Sequence, residues 1–194
     1  MPSLNSQECT QRMGLAPETA TVRGLIFNAV FKLVEQHRGA LAATELRARI
    51  AKKPLVDFFS YPARDFLQVL FEAGELLTPQ YGSSEAAIRA CGAAAVGGFF
   101  QSGVGRTLTT IIGQGDPKRL FSSAPTAYST AVSYGQRKFS VLGERRVSLH
   151  FKGDMQPVEF HQGLLEAALQ GVGCPGQVQV RRMGMDEAEY FIEW

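Results

Sequence analysis

The spacing of apolar residues predicts that the first two thirds of the chain are helical. Between residues 22 and 37 apolar side chains recur every three or four positions, as in a helix with one buried face, and Gly39 is expected to end it. The same spacing predicts further helices at residues 43–51, 60–78, 84–99, 104–112, 117–122 and 125–134. Ser84 and Asp116 are the expected N-caps of two of these helices.

A change of period beyond Gly135 predicts that the remaining third is mainly strand. Within residues 146–151, Val147, Leu149 and Phe151 alternate with polar residues, so one face of a strand is buried. Four strands are predicted, around residues 139–141, 146–151, 178–180 and 190–194, with one helix at 157–171 after the second strand. Because short turns join the strands, we expect an antiparallel sheet and an α+β fold, in which N-terminal helices precede a four-stranded ββαββ unit.

Two predicted helices contain glycine where a helix normally favours alanine. Glycine inside a helix costs roughly 1 kcal/mol relative to alanine, so Gly163 predicts close packing of the helix 157–171 against the sheet or an N-terminal helix. In the helix 84–99, the residues from Gly92 to Gly98 have almost no side-chain bulk. There we expect another backbone to approach closely, with a ligand as the alternative.

Length and composition predict one domain with a substantial core. Of the 194 residues, 45% are hydrophobic, which is enough to bury a large interior. The N-terminal residues are polar and irregular, so we expect a flexible tail at 1–18 and a single domain at 19–194. Because 20 basic and 18 acidic residues are interspersed, neither nucleic acid nor an anionic membrane is expected as a partner. Without a signal sequence or a membrane span, the chain is expected in the cytoplasm.

The residue types that carry catalysis or bind metals form no complete motif. The three cysteines are far apart in the sequence, which argues against a disulfide framework and a metal site. The glycine-rich turn at 103–105 lacks the further glycine and the lysine of a phosphate-binding loop. His150 and His161 have no second ligand at metal spacing. We therefore expect no catalytic residues, no metal site and no enzyme.

The order of the predicted elements and one motif resemble known families. The motif reads LHF-x-G-x-M-x-P-V-x-F-x-x-G-L and leads from the second strand into the following helix. With the N-terminal helices before it, this pattern resembles the haem nitric-oxide/oxygen binding (H-NOX) domains and the four-vinyl-reductase and TRAPP-like small-molecule-binding domains. Nearly the whole chain also resembles an uncharacterised paralogous family of about this length found in myxobacteria. The resemblance implies an H-NOX-like fold.

The positions that bind haem in the H-NOX family differ in this chain. Haem-binding members hold the propionates with a Tyr-x-Ser-x-Arg motif and the iron with a histidine on the preceding helix. The corresponding motif positions here are Phe151, Gly153 and Met155, and Tyr128 lies nearest to the expected histidine. The resemblance therefore implies the scaffold without haem, and no cofactor is expected.

The resulting expectation is a non-enzymatic sensor or adaptor domain. The resemblance places a pocket for a small apolar ligand between the helical and sheet halves, lined by Phe99, Phe100, Tyr128 and Phe151. The alternative is a protein–protein interaction module, including a homodimer, with a filled core and no ligand. An enclosed pocket would favour the first hypothesis, and a large exposed apolar patch without a cavity would favour the second. A cleft that holds a histidine beside a carboxylate with a shifted pKa would instead indicate an enzyme.

Overall fold

The computed structural model describes residues 4–101 and 116–194, with side chains at 6–98 and 116–194. In chain order its elements are α1 (Leu4–Leu15), β1 (Thr21–Arg23), α2 (Gly24–Ala48), β2 (Ser60–Pro62), α3 (Ala63–Tyr81), α4 (Ser84–Gln101), α5 (Pro117–Ser122), α6 (Ala124–Ala131), β3 (Gln136–Gly143), β4 (Arg146–Lys152), α7 (Val158–Gly171), β5 (Gln177–Arg182) and β6 (Glu187–Glu193). Helices precede a ββαββ unit, which confirms the predicted α+β fold. None of the described helices is both long and apolar enough to span a membrane. The predicted helix at 104–112 and the turn at 103–105 lie outside the described residues.

The strands of the ββαββ unit form one antiparallel sheet in the order β3, β4, β6, β5. β4 lies inside the sheet, and its Val147, Leu149 and Phe151 are fully buried, as their alternation predicts. Opposite them, β6 contributes Ala188 and Tyr190 to the same buried face. Helix α7 packs in one hydrophobic cluster with these side chains. The sheet therefore has one face covered by a helix, as expected for this fold class.

Helix α2 is a single element with a sharp kink at Gly39. Gly39 has φ +85° and ψ 166°, a conformation that favours glycine. The two arms on either side correspond to the helices predicted at 22–37 and 43–51. The Arg47 guanidinium on the second arm lies 5.1 Å from the centre of the Phe31 ring on the first arm. The arms therefore fold back on each other, and both predicted helices are confirmed.

The N-terminal segment forms helix α1, whereas the sequence predicts a flexible, irregular tail there. Arg12 on α1 is only 3% exposed, and its Nη1 donates to the carbonyl oxygens of Met155, Gln156 and Met185 at 2.7–3.2 Å. Glu8, one turn earlier, forms an ion pair with the same guanidinium at 2.8 Å. A buried arginine is costly unless it is paired and hydrogen-bonded, and these contacts provide both. They hold α1 against the segment that joins β4 to α7.

Three further boundaries differ from the prediction. Residues 60–62 do not begin α3 but pair as β2 with β1 in a short antiparallel ribbon. Helix α3 also continues past Pro79 to Tyr81 and is capped by Gly82 in a left-handed conformation. Pro79 removes one backbone donor, while the Gly82 amide still donates to the Thr78 carbonyl oxygen. Ser83, rather than Ser84, accepts the side-chain hydrogen bond that caps α4. The helices themselves lie where the apolar spacing places them.

The helical and sheet halves meet where α4 crosses α7 at two glycines. A Cβ on Gly92 would lie 1.8 Å from the Phe160 carbonyl oxygen, and a Cβ on Gly163 would lie 1.9 Å from the Arg89 carbonyl oxygen. Both distances are far below van der Waals contact, so the two backbones touch. An ion pair between Arg89 and Glu166 joins the same two helices. The close packing predicted for both glycines is confirmed, and α4 is the N-terminal helix against which α7 packs.

Alanine at position 163 is expected to destabilise the protein. Gly163→Ala would push α7 away from the Arg89 carbonyl, and overpacking of this kind costs about 1–3 kcal/mol. Gly14 on α1 is a matched control, because an added Cβ there meets no described atom within 4 Å, so Gly14→Ala should be neutral or stabilise by up to about 1 kcal/mol. Chemical unfolding measures both variants. A Gly163→Ala protein as stable as the wild type would contradict the close crossing.

Candidate functional site

A cavity of about 340 Å³ lies between the helical half and the ββαββ unit. Its wall is mainly apolar and includes Ile26, Val96, Leu120, Phe121, Phe160 and Leu165. Arg23, Asp57, Phe58 and Thr130 also border it. Phe58 is 68% exposed, so the cavity opens toward solvent on this side. The structure thus contains a pocket of the kind that the ligand-binding hypothesis requires.

The four residues predicted to line the pocket have different positions. Tyr128 borders the cavity. Phe151 lies one layer deeper, since it is fully buried in the core between the sheet and α7, and its ring packs edge-on against Tyr128 with centroids 4.9 Å apart. The side chains of Phe99 and Phe100 lie outside the described residues. Their place in the pocket therefore stays a prediction.

Behind the cavity wall lies a buried polar group that we call the His161 cluster, formed by Tyr128, Arg137, Asp154 and His161. The Tyr128 hydroxyl lies 3.0 Å from His161 Nδ1, and His161 Nε2 lies 3.1 Å from Asp154 Oδ1. The second contact is close enough for an ion pair but lacks the alignment of a full hydrogen bond. Arg137 Nη2 donates to Asp154 Oδ2 at 2.5 Å. The Arg137 guanidinium also lies 4.6 Å from the centre of the Tyr128 ring.

The backbone brings the members of the His161 cluster together from four elements of the fold. The chain turns after β4 at Gly153, whose φ of +70° favours glycine, and Asp154 follows directly. His161 lies in the first turn of α7, Arg137 on β3 and Tyr128 on α6. The side chains of Arg137, Asp154 and His161 are each at most 6% exposed. The cluster is therefore part of the interior that joins the sheet to the cavity.

The electrostatics of the His161 cluster fix the protonation states of Asp154 and Tyr128. Burial raises the pKa of Asp154, but the close contact with His161 and the charge and hydrogen bond of Arg137 outweigh this effect and lower the pKa to about 2. Burial, with a smaller contribution from the Asp154 charge, raises the pKa of Tyr128 above its ordinary value. Near neutral pH Asp154 is therefore an anion and Tyr128 a neutral phenol.

Sequence reasoning considered His161 alone and missed its partners. Asp154 lies seven residues earlier, across a turn, and that spacing corresponds to no metal or catalytic motif. The other two histidines lie elsewhere: His150 contacts Glu187 on the sheet, and His37 contacts the Tyr81 hydroxyl. Across the part of the chain that the structure describes, no group of three or more His, Cys, Asp or Glu side chains could hold a metal ion.

A comparison with protein families places the cavity and the His161 cluster in a known domain. Residues 16–194 match the family described as "Protein of unknown function (DUF2378)". The chain belongs to the DUF2378 family. The match includes every residue of the His161 cluster and of the cavity wall named above. A search of the curated proteins finds no match.

The solved structures that resemble this DUF2378 chain include several H-NOX proteins. An H-NOX protein from S. oneidensis in the Fe(II)NO ligation state has a TM-score of 0.68 at 17% identity, over 88% of this chain and 98% of that one. The IWP-051-bound H-NOX from Shewanella woodyi in the Fe(II)CO state gives 0.66 at 14%, over 88% and 93%. The Fe(II) unliganded H-NOX from K. algicida gives 0.64 at 15%, over 88% and 95%. These similarities confirm the H-NOX-like fold.

The described residues of this DUF2378 chain do not fit a haem group. A haem iron requires an axial side chain with a free donor atom. His161 borders the cavity, but both of its ring nitrogens face partners, Tyr128 and Asp154. Arg23, a cation at the cavity rim, already donates to two backbone carbonyl oxygens. Arg137 is likewise held by Asp154, so neither arginine is free to bind a propionate.

Purified protein incubated with haem and then desalted is expected to show no Soret absorbance. The reason is that the described side chains near the cavity offer neither an axial ligand nor a propionate anchor. An H-NOX protein carried through the same procedure is the positive control. A stoichiometric Soret band that disappears in Tyr128→Phe or His161→Phe would contradict this reading of the site.

Asp154 is expected to make the folded state sensitive to acid. Its pKa is about 2 in the folded protein and about 3.9 in an unfolded chain, so its contribution is complete above about pH 4 and is lost as pH falls toward 2. The difference corresponds to about 2–3 kcal/mol. Asp154→Asn should be less stable at pH 7 and should lose this part of the pH dependence.

Chemical unfolding between pH 7 and pH 2.5 measures the effect of Asp154. Glu144→Gln, in the exposed turn between β3 and β4, is the control and should follow the wild type. If the stability of Asp154→Asn ran parallel to that of the wild type across this range, the assignment of the acid sensitivity to Asp154 would be wrong.

Proposed function

We propose that this DUF2378 chain is a non-enzymatic ligand-binding domain that holds a small apolar molecule and acts as a sensor or adaptor. The observation that carries the proposal is the cavity of about 340 Å³ between the two halves. Small-molecule sites are typically clefts of about 300–1,000 Å³ with mainly apolar walls and a few polar groups. The cavity has this character. Because both halves contribute to its wall, a change in how they pack would change the space available to a ligand.

The side chains at the site favour an apolar ligand other than haem. The iron-binding and propionate-binding side chains of the resembling family are replaced, and the His161 cluster uses its own polar groups internally. An apolar molecule needs neither of these anchors. Its binding energy comes from burial, at about 0.8 kcal/mol for each methylene removed from water.

The pKa shifts of Asp154 and Tyr128 support a non-enzymatic role for these two members of the His161 cluster. The cluster does place a histidine beside a carboxylate with a lowered pKa, which is the arrangement that would indicate an enzyme. General acid–base catalysis, however, works best with a group whose pKa lies near the working pH. The pKa of Asp154 is about 2, and that of Tyr128 is raised. Neither group is therefore suited to exchange protons near neutral pH.

The alternative, a protein interaction module, draws on exposed aromatic side chains. Phe58 is 68% and Phe59 is 64% exposed, on the loop before β2. Such a pair suits contact with another protein or a second copy of the chain. Phe58 also borders the cavity. The interaction module as predicted has a filled core and no ligand, so the cavity favours ligand binding as the primary hypothesis.

Straight-chain alcohols of increasing length are expected to bind with increasing affinity until the cavity is full. Each added methylene should tighten binding about fourfold, and the increase should stop at the length that the cavity admits. In Ala127→Leu/Ala131→Leu, two cavity residues of α6 gain bulk, so the plateau should come at a shorter chain. Isothermal titration calorimetry measures the series.

Ala48→Leu provides the control for the cavity-filling variant. Ala48 is an exposed helical alanine outside the cavity wall, so its plateau should match that of the wild type. Two outcomes would refute the proposal: no alcohol binds, or the filled variant binds every alcohol as the wild type does.

A further inference from the structure

Gln156 is a buried side chain with one hydrogen-bonding atom left over. It lies in the segment between β4 and α7, is 4% exposed and borders the cavity. Its Nε2 donates to the Tyr134 hydroxyl. Its Oε1 is fully buried and has no hydrogen-bond partner among the described residues.

An unpaired buried acceptor of this kind requires a physical explanation. More than about 90% of buried polar groups in proteins have a partner, and leaving one without a partner costs about 1–3 kcal/mol. The backbone around Gln156 is held in place, because Arg12 donates to the carbonyl oxygens of Met155 and Gln156 at 3.2 Å. The segment therefore cannot readily move the amide elsewhere. The terminal amide torsion is soft and Gln156 borders the cavity, so rotation of the amide is the movement by which it would meet a ligand there.

The other buried polar groups that border the cavity already have partners. Tyr128 and His161 contact each other, and His161 also contacts Asp154. Among these three cavity side chains of the deep wall, His161 Nε2 lacks a full hydrogen bond but faces the Asp154 carboxylate at 3.1 Å, whereas Gln156 Oε1 has no hydrogen-bond partner among the described residues. At the deep wall a ligand would therefore meet apolar side chains and the Gln156 amide, while the polar residues Arg23, Asp57 and Thr130 border the cavity elsewhere.

We propose that the ligand carries a hydroxyl group that binds the Gln156 amide, with its apolar body along the wall formed by α4 and α6. This inference rests on the proposed function and adds the chemical class of the ligand. A hydroxyl both donates and accepts, so it pairs with the amide whichever of its ends faces the cavity. A carboxylate is less suitable, because it has no proton to donate and would bring a second anion near Asp154, which is ionised and lies two residues from Gln156 in the chain.

Three ligands with eight carbon atoms each test the head group: 1-octanol, methyl heptyl ether, which is an isomer of the alcohol, and octanoate. Calorimetric titration at pH 7 is expected to give the alcohol about five to ten times the affinity of the ether, since the ether lacks the donor that Oε1 needs and one hydrogen bond is worth about 1 kcal/mol. Octanoate should bind more weakly than the alcohol.

Gln156→Met removes the amide while keeping a side chain of similar size and shape. In this variant the preference for alcohol over ether should fall to within about twofold, with the affinity for the ether retained. Gln162→Met is the matched control, because Gln162 lies on α7 outside the cavity wall and donates to the Val178 carbonyl oxygen. It should keep the full preference. The wild-type series tests the proposal even if Gln156→Met does not fold.

The outcomes separate this inference from the proposed function. Equal affinity of wild type for alcohol and ether, or tighter binding of octanoate, would overturn the hydroxyl assignment while leaving a ligand pocket. Retention of the preference in a folded Gln156→Met variant would overturn the role of Gln156. Failure of all three compounds to bind would overturn both the inference and the proposed function.

Discussion

Helices α4 and α7 touch at Gly92 and Gly163, and the rest of the site depends on the distance that this contact sets. With a Cβ at either position the helices would have to separate, since its nearest backbone atom would lie within 2 Å. Ala95 and Val96 lie about one turn beyond Gly92 on α4, and Leu164 and Leu165 follow Gly163 on α7; all four border the cavity. The crossing therefore joins the two halves and also positions two walls of the cavity between them.

The segment between β4 and α7 is held from both sides. Asp154 faces the interior, where it forms an ion pair with Arg137 and contacts His161, and the backbone at Met155 and Gln156 accepts hydrogen bonds from Arg12 on α1. In haem-binding H-NOX proteins, the motif that holds the haem propionates corresponds to this segment. Here its polar contacts are directed to other residues of the chain, so the scaffold is kept while the cavity is left apolar apart from a few side chains.

The period of the apolar residues was sufficient to predict the fold, because burial of one face is a local property of a helix or strand. Val147, Leu149 and Phe151 show this for β4. Gly163 predicted the helix contact because glycine is costly inside a helix and is therefore expected where a neighbouring backbone leaves no room for a Cβ. Arg12 could not be predicted in the same way. Its three carbonyl partners lie 143 to 173 residues away in the sequence, and nothing in the local pattern of α1 indicates them.

The candidate site was only partly predictable, for the same reason. Tyr128 borders the cavity, but Phe151, which lies on the buried face of β4, lies behind Tyr128 because the sheet contributes the deeper layer. The pairing of His161 with Asp154 depends on the turn at Gly153. The contribution of Arg137 depends on the register of β3 against β4, in which it lies opposite Phe151. Neither feature follows from residue spacing.

Native mass spectrometry of the protein as purified from cells tests the central claim, that the cavity is a ligand site, most directly. The account predicts that wild-type protein carries a small molecule in addition to its polypeptide mass, and that this extra mass is lost in Ala127→Leu/Ala131→Leu but kept in Ala48→Leu. A bare polypeptide mass in wild type, or an adduct that the filled variant retains, would contradict it.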